Sequence, residues 1–419
     1  MSRGERPDRI RRRNLITGLI LLVLIGTVIG ITVYSRATSE EASYGIEEEA
    51  RPPFASRRSA RSFSSRRGRR LQRHRAVPRF RRPPPHPQIP SYEPPRLSVP
   101  ETRNIDATTG PLLGKSIQIA WPAVIQAILV NFYAFNDFLF IGLLGDEYAT
   151  AALSACFAMV VINYTLLRVI STGAQTLISQ LFGRGERSKL ADVLRQAISG
   201  ELVWSVLVGL GGLAALPFIV AISNAAPPVD LRIEAYLSIF YWTAPTFGLV
   251  MVVIGAFRAC GNTRIPLALE VVSLCLNALL NFLLVLGPGP FPSLGITGAA
   301  IATAVSRGLP GIVGLVLIFR GHLDVDLTDG DGLSAWRPRW SRVRPMFRIG
   351  AFQSVSGFIY GSVYFVLNRM AGELGPAAQG GLGAGLRGIE WLGYAVADGF
   401  KTATMAVVGQ NIGAEQPDR

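Results

Sequence analysis

From Lys115 onward, apolar runs of membrane length alternate with short turns rich in Gly, Pro and charge. About twenty apolar residues in helical form span a bilayer's hydrocarbon. Run lengths and turn signals therefore predict eight spans, at about 117–144, 149–182, 195–222, 233–257, 265–287, 295–319, 346–371 and 378–409. The expected fold class is an all-α polytopic membrane protein. One run stands out: Trp121–Gly145 carries a single formal charge, Asp137. A carboxylate inside hydrocarbon is costly and usually functional.

The turns alternate in charge. Those after the second, fourth and sixth spans carry Arg184, Arg187, Lys189 and Arg195, then Arg258 and Arg264, then Arg320, Arg337, Arg339, Arg342, Arg344 and Arg348. The others carry Asp146, Glu147, Asp230, Arg232 and Glu373. Basic loops stay in the cytoplasm, so the first set is expected inside, with Lys115. Residues 15–34 form a further apolar run behind Arg11, Arg12 and Arg13, readable as a signal anchor. Residues 35–106 hold sixteen Arg, eight acids and the run PRFRRPPPHP, a composition that cannot bury a core and predicts a disordered linker. A crossing at 15–34 cannot keep both the N-terminal Arg residues and Lys115 inside. An N-out anchor and a start codon assigned too early are the two explanations, and no Met lies between Met1 and Met159.

The chain also matches itself at an offset of 230 residues. Gly142 and Gly145 meet Gly372 and Gly375, Tyr164 meets Tyr394, Gln180 meets Gln410 and Gly183 meets Gly413. The matched turns fall at equivalent span ends, as in a duplicated six-span unit with a parallel repeat. The division expected is a six-helix lobe at 107–336 and the first two helices of a second lobe at 337–419. A complete second copy would need four more spans, so the chain is expected to be a fragment.

Composition agrees with the membrane reading: 49% hydrophobic and 17% charged residues, with a mean hydropathy of +0.33. The net charge of +14 sits mainly in the N-terminal segments and loops, which argues against a nucleic-acid face. Only three of the 42 basic residues are Lys. Cys156, Cys260 and Cys275 lack paired spacing and are expected as small buried hydrophobes. The three His form no cluster, and neither a phosphate loop nor a GxSxG elbow is present, so no enzyme and no metal site is expected.

Polar residues inside the spans are the candidate chemistry. Gln126, Tyr133 and Asp137 share a helical face. Counting depth at 1.5 Å per residue puts Asp137 about 12 Å from its helix's outer end. Asn277, Asn281 and Tyr236 fall at similar depth and could surround one pocket with it, or simply join helices. Arg387, Glu390, Tyr394 and Asp398 form one face of the eighth span, readable as a structural ion-pair ladder. Arg168 and Arg307 are expected to pair or snorkel first and to meet substrate second. Glu201, Glu234 and Glu270 lie nearer span ends and are less informative.

The segment from about Gly110 to Arg419 resembles the multidrug and toxic compound extrusion (MATE) transporters. The resemblance rests on IAWPAVIQ (119–126), NDFLFIGLLG, ISQLFGRGE (178–186), FRACGNTRIP (257–266), LGITGAAIAT (294–303) and LRGIEWLGYAVADGFKTATMAVVGQNIGAEQP (386–417). It implies a secondary active antiporter of twelve spans, exporting organic cations or other amphiphiles against a proton or sodium gradient. It also implies a monomer in a prokaryotic plasma membrane, with the lipid bilayer around it. In that family's proton-coupled branch, Asp137 matches the first-helix Asp and Asn277 a fifth-span Asn, while Tyr236 falls near a fourth-span Tyr. Asn281 departs from the pattern, which has a second Asp there. Tyr360 stands where the sodium-coupled branch has a Glu, and Glu390 matches a Glu of one prokaryotic subgroup.

The expected function is proton-driven export through Asp137. Its rivals are a lipid-linked saccharide flippase of the same superfamily, which would need a cavity lined by several Arg, and a non-transporting truncated protein.

Overall fold

The computed structural model describes residues 104–418, apart from 224, 226, 329–331 and 386–390. The expected anchor at 15–34, most of the expected linker, Arg387 and Glu390 lie outside the described residues. Among those described, the chain is helical throughout, without a strand. The helices are α1 (Leu112–Leu143), α2 (Glu147–Gly183), α3 (Arg187–Ser223), α4 (Pro227–Trp242) and α5 (Ala244–Ala259). They continue as α6 (Arg264–Leu284), α7 (Gly295–Phe319), α8 (Trp340–Glu373), α9 (Pro376–Gly385) and α10 (Trp391–Gly413), with a 3₁₀ turn at Gly332–Trp336.

Among the described residues, five helices are long and apolar enough to cross a membrane, and the count reaches seven if each of two bent pairs is one span. The expected eighth span corresponds to α9 and α10, which flank the undescribed residues 386–390. The expected fourth span is broken: α4 and α5 meet at 53° around Thr243. Pro245 explains the break, because it has no N–H to continue the ladder. At the break, Ile239 O accepts from both the N–H and the Oγ1 of Thr243, at 3.0 and 2.8 Å.

The lipid-facing surfaces are apolar. On α1 the exposed residues include Trp121, Phe132, Phe135, Leu139 and Leu143, at helical spacing, while Gln126, Tyr133 and Asp137 point inward. On α6 the inversion is nearly complete. Its buried residues are Pro266, Glu270, Ser273, Asn277 and Asn281, and its exposed ones include Val271, Val272, Leu279 and Phe282. A helix surrounded by water hides its apolar stripe. A helix in lipid has no such need, and its polar groups must find partners inside the protein.

Two apolar clusters knit the bundle. One joins Ile178, Leu194, Phe257, Ile318 and Met346 near the basic turns, and the other joins Ile141, Leu167, Leu237, Phe247 and Ala299 nearer the opposite end. The residues before α1 are part of this body. Asn104 Nδ2 donates to His322 O (3.3 Å), Asn104 Oδ1 accepts from Asn262 Nδ2 (3.2 Å), and Ala107 N–H donates to Gln410 Oε1 (2.8 Å). Residues 104–106, expected as the end of the linker, therefore belong to the fold. Of the three cysteines, Cys156 and Cys260 are buried as expected, but Cys275 is exposed, on the apolar outer face of α6.

The 230-residue offset has a counterpart in the helix ends. α1 ends at Leu143 and α8 at Glu373, each followed two residues on by a Gly with positive φ, Gly145 (68°) and Gly375 (104°). α2 packs along α8, and α10 packs along α1. Close approaches at the ends of α2 and α10 are reciprocal too. A Cβ on Gly183 would overlap the carbonyl of Gln410, and one on Gly413 would overlap the carbonyl of Gln180. Small residues at such crossings let backbones touch without a hydrophobic driving force.

Gly183→Val should therefore lower the unfolding midpoint of the purified protein in detergent, since overpacking costs about 1–3 kcal/mol. Gly211→Ala, inside α3 where the added Cβ meets nothing within 4 Å, should leave the midpoint unchanged or raise it. At the start of α2, Asp146 caps the helix by accepting the Ala149 N–H (3.0 Å) and pairs with Arg232 (2.7 Å). Partial burial opposes its charge, but these two partners outweigh it and hold the carboxyl below its usual value. Its stabilising effect is present above the ordinary carboxylate range, near pH ~4, and is lost as pH falls through the lowered value. Asp146→Asn should flatten the acid limb of a stability-against-pH curve measured by thermal unfolding.

Candidate functional site

The polar stripe of α6 is the scaffold of the site. Glu270, Ser273, Asn277 and Asn281 recur at spacings of three, four and four, which places them on one helical face. Each meets a group on α1, on α7 or on both.

At one end lies Asp137, 3% exposed. Its Oδ1 accepts from Asn281 Nδ2 at 2.7 Å, and its Oδ2 accepts from Thr303 Oγ1 at 2.7 Å. Thr303 Oγ1 in turn accepts from Asn277 Nδ2 (3.1 Å), whose Oδ1 accepts from Asn136 Nδ2 (2.8 Å). Both carboxylate oxygens are thus held by neutral donors. Asn281 Oδ1 is buried with no hydrogen-bond partner.

One to two turns along α1, the Tyr133 hydroxyl donates to Ser273 Oγ, which donates to the Ser306 carbonyl. The Arg307 guanidinium lies over the Tyr133 ring, 4.2 Å from its centroid, and its Nη2 donates to Val130 O at 3.1 Å. At the other end, Gln126 bridges charges: its Nε2 donates to Glu270 Oε2 (3.5 Å), and its Oε1 accepts from Arg258 Nη2 (2.9 Å).

Asp137, Tyr133, Thr303 and Arg307 line one wall of a cavity of about 460 Å³. Its other walls come from α2, α4, α8 and α10, through residues such as Arg168, Tyr236, Tyr360, Tyr394 and Asp398. A smaller recess of about 140 Å³ adjoins it, shares Arg168, Arg258 and Arg307, and reaches Gln126 and Glu270. Ligand pockets of roughly 300–1,000 Å³ take drug-sized molecules. Among the described residues, no group of three or more His, Cys, Asp or Glu could hold a metal ion.

The structure brings Asp137, Asn277 and Asn281 together as depth counting predicts. The two Asn do not open onto the cavity, however; they are packed behind the carboxylate at 0% exposure. Tyr236 stands at the cavity wall with Asp137, and Gln126 and Tyr133 occupy the same inner face of α1. Asp398 lies 4.0 Å from Lys401, and the expected ladder's other charged members, Arg387 and Glu390, lie outside the described residues. Arg258, read from sequence as a loop residue, closes the last turn of α5 and reaches into the site. Arg168 and Arg307, expected to be paired or snorkelling, form no ion pair within 4.0 Å among the described residues.

Sequence reasoning missed Thr303, Ser273, Ser306 and Asn136 and gave Glu270 little weight. Thr303 was findable: eight residues after Gly295, it sits at the depth counted for Asp137. Glu201 was also given little weight. It is fully buried, its Oε2 accepts the Ser171 N–H at 3.1 Å, and its Oε1 has no partner.

A double-mutant cycle on Asp137→Asn and Thr303→Val should show coupling. Leaving a buried acceptor unpaired costs about 1–3 kcal/mol, and interhelical bonds in membranes average ~0.6 kcal/mol. A coupling of at least about 0.6 kcal/mol in the unfolding free energies is expected.

A family model described as MatE matches residues 122–283 and 354–419. The chain is 27% identical over 311 residues to a FAD transporter of Shewanella oneidensis, covering 72% of this chain and 66% of the relative. It is 24% identical over 324 residues to a probable multidrug resistance protein NorM of Thermotoga maritima, covering 75% and 64%. It is 26% identical over 284 residues to the multidrug export protein MepA of Staphylococcus aureus, covering 67% and 60%. The chain thus spans 60 to 66% of the length of these curated relatives. Among solved structures, the MATE multidrug transporter DinF-BH in complex with R6G aligns with a TM-score of 0.62 at 21% identity, covering 74% of this chain and 68% of that one. A MOP superfamily transporter from Pyrococcus furiosus aligns with a TM-score of 0.61 at 21% identity, covering 75% and 68%.

Proposed function

The chain belongs to the MatE family, and on that premise we propose that it serves in proton-driven export of amphiphilic small molecules, with Asp137 as the coupling group. Members of this family are multi-pass membrane transporters rather than enzymes. The names of its relatives, two multidrug proteins and a FAD transporter, support export of organic molecules of this size.

The observation that carries the proton reading is the donor set around Asp137. A sodium ion needs oxygen ligands turned toward it. Here an amide N–H and a hydroxyl point at the carboxylate, which suits an anion that is later neutralised by a proton. The protonated acid needs an acceptor as well. Asn281 can supply one, because turning its amide over would present Oδ1, which has no partner at present. In place of the second carboxyl of the related proton-coupled proteins, Asn281 thus offers a donor for the charged state and an acceptor for the neutral one. Exchanging those bonds would alter how α1 packs on α6 and α7, which tie the carboxylate to the cavity wall.

Everted vesicles carrying the chain should lose a pre-set pH gradient faster when an exported dye is added. Asp137→Asn should reduce that response to the background of empty vesicles. Undiminished gradient-driven export by Asp137→Asn would sink the proposal.

A further inference from the structure

We infer that the cavity accepts a planar aromatic molecule carrying a phosphate or other compact anion, rather than an organic cation. The inference rests on the proposed export reading for its biological sense but on the cavity's own chemistry for its content.

Four helices each bring one cation to the cavity: Arg168 from α2, Arg258 from α5, Arg307 from α7 and Lys401 from α10. Against them stand Asp137, Asp398 and, in the adjoining recess, Glu270. Asp398 is taken by Lys401, and Asp137 is enclosed by its neutral donors. None of the three Arg lies within 4.0 Å of a carboxylate among the described residues. Arg258 is bound to the neutral Gln126, and Arg307 to a backbone carbonyl and a Tyr face, with its Nε buried and unpartnered. Arg258 and Arg307 are drawn partly out of water with no carboxylate in direct contact, a costly arrangement, and Arg168 is exposed where it lines the cavity. A ligand that brings a compact anion supplies what they lack, and the planar fork of Arg suits phosphate or carboxylate. A cationic ligand would add like charge instead.

The remaining wall selects for shape. Tyr360 and Tyr394 lie stacked, 5.9 Å apart at 25°, with Tyr394 44% exposed toward open space. Tyr164 meets Phe240 edge to face at 5.2 Å. Arg307 also lies 5.7 Å from the Tyr164 ring centroid, so ring faces and guanidinium groups stand side by side, which matches a molecule whose aromatic plane carries an anion.

The test is equilibrium binding to the whole chain in nanodiscs, followed by ligand fluorescence. The probes are flavin mononucleotide as a planar aromatic phosphate and ethidium as a planar aromatic cation. The mononucleotide should bind more tightly than ethidium and weaken with salt. Arg168→Gln should weaken it by about tenfold to a hundredfold, as loss of one charge-assisted contact implies. Arg168 makes no side-chain bond that the fold depends on, and Arg168→Lys should restore part of the loss. Arg307→Gln is the second variant, expected to weaken the mononucleotide and to leave ethidium binding unchanged or tighter. Tighter binding of ethidium than of the mononucleotide would overturn the inference, as would binding of farnesyl pyrophosphate with none of the mononucleotide. Binding needs no gradient, so the two readings separate. Mononucleotide binding that survives in Asp137→Asn supports this inference even if proton coupling fails, and gradient-driven export of ethidium without mononucleotide binding removes this inference alone.

Discussion

Asp137 reaches across three helices, and the rest of the site follows from satisfying it. A carboxylate inside hydrocarbon has no water to fall back on, so its partners must come from side chains held in register. Asn281 on α6 and Thr303 on α7 supply them, which fixes both helices against α1. The same requirement repeats along α6, where Ser273 and Glu270 face Tyr133 and Gln126. The polar stripe does the specifying here that an apolar stripe does in water, because lipid gives apolar faces no reason to prefer one neighbour over another.

The two kinds of polar group in the cavity are treated differently. The carboxylate lines the cavity with both oxygens accepting from an amide and a hydroxyl, whereas Arg168 and Arg307 line it with no carboxylate within 4.0 Å among the described residues. Neutral partners suit a group whose charge comes and goes, since they can serve either state. Arg keeps its charge throughout, so its partner is the variable one.

Much of this was legible from residue order. Asp137 announced itself by the charge it puts in an apolar run, and helical rise carried the argument to Asn277 and Asn281 without any contact being known. The same count would have reached Thr303, but a threonine in a run of small residues reads as packing until a carboxylate is known to face it. Arg258 and Glu270 were misjudged because a sequence gives no sharp membrane boundary, and a residue one turn inside looks like one just outside. Pro245 was visible, yet proline is well tolerated at the start of a helix. Only the backbone shows that a new helix starts there. Residues 104–106 are held by Asn262, His322 and Lys115, partners far away or outside the segment, and no local pattern reports that.

The reciprocal meeting of Gly183 with Gln410 and of Gly413 with Gln180 has a mechanical consequence. Each seam is glycine Cα against a backbone carbonyl, so the two chains approach without an intervening side chain. Because the seams join the same two helix ends, parting one parts the other. They form a single latch beside Arg184, whose Nε donates to Gly413 O at 3.3 Å. Such a latch holds the two helix ends at one fixed separation, set by the van der Waals contact of their backbones.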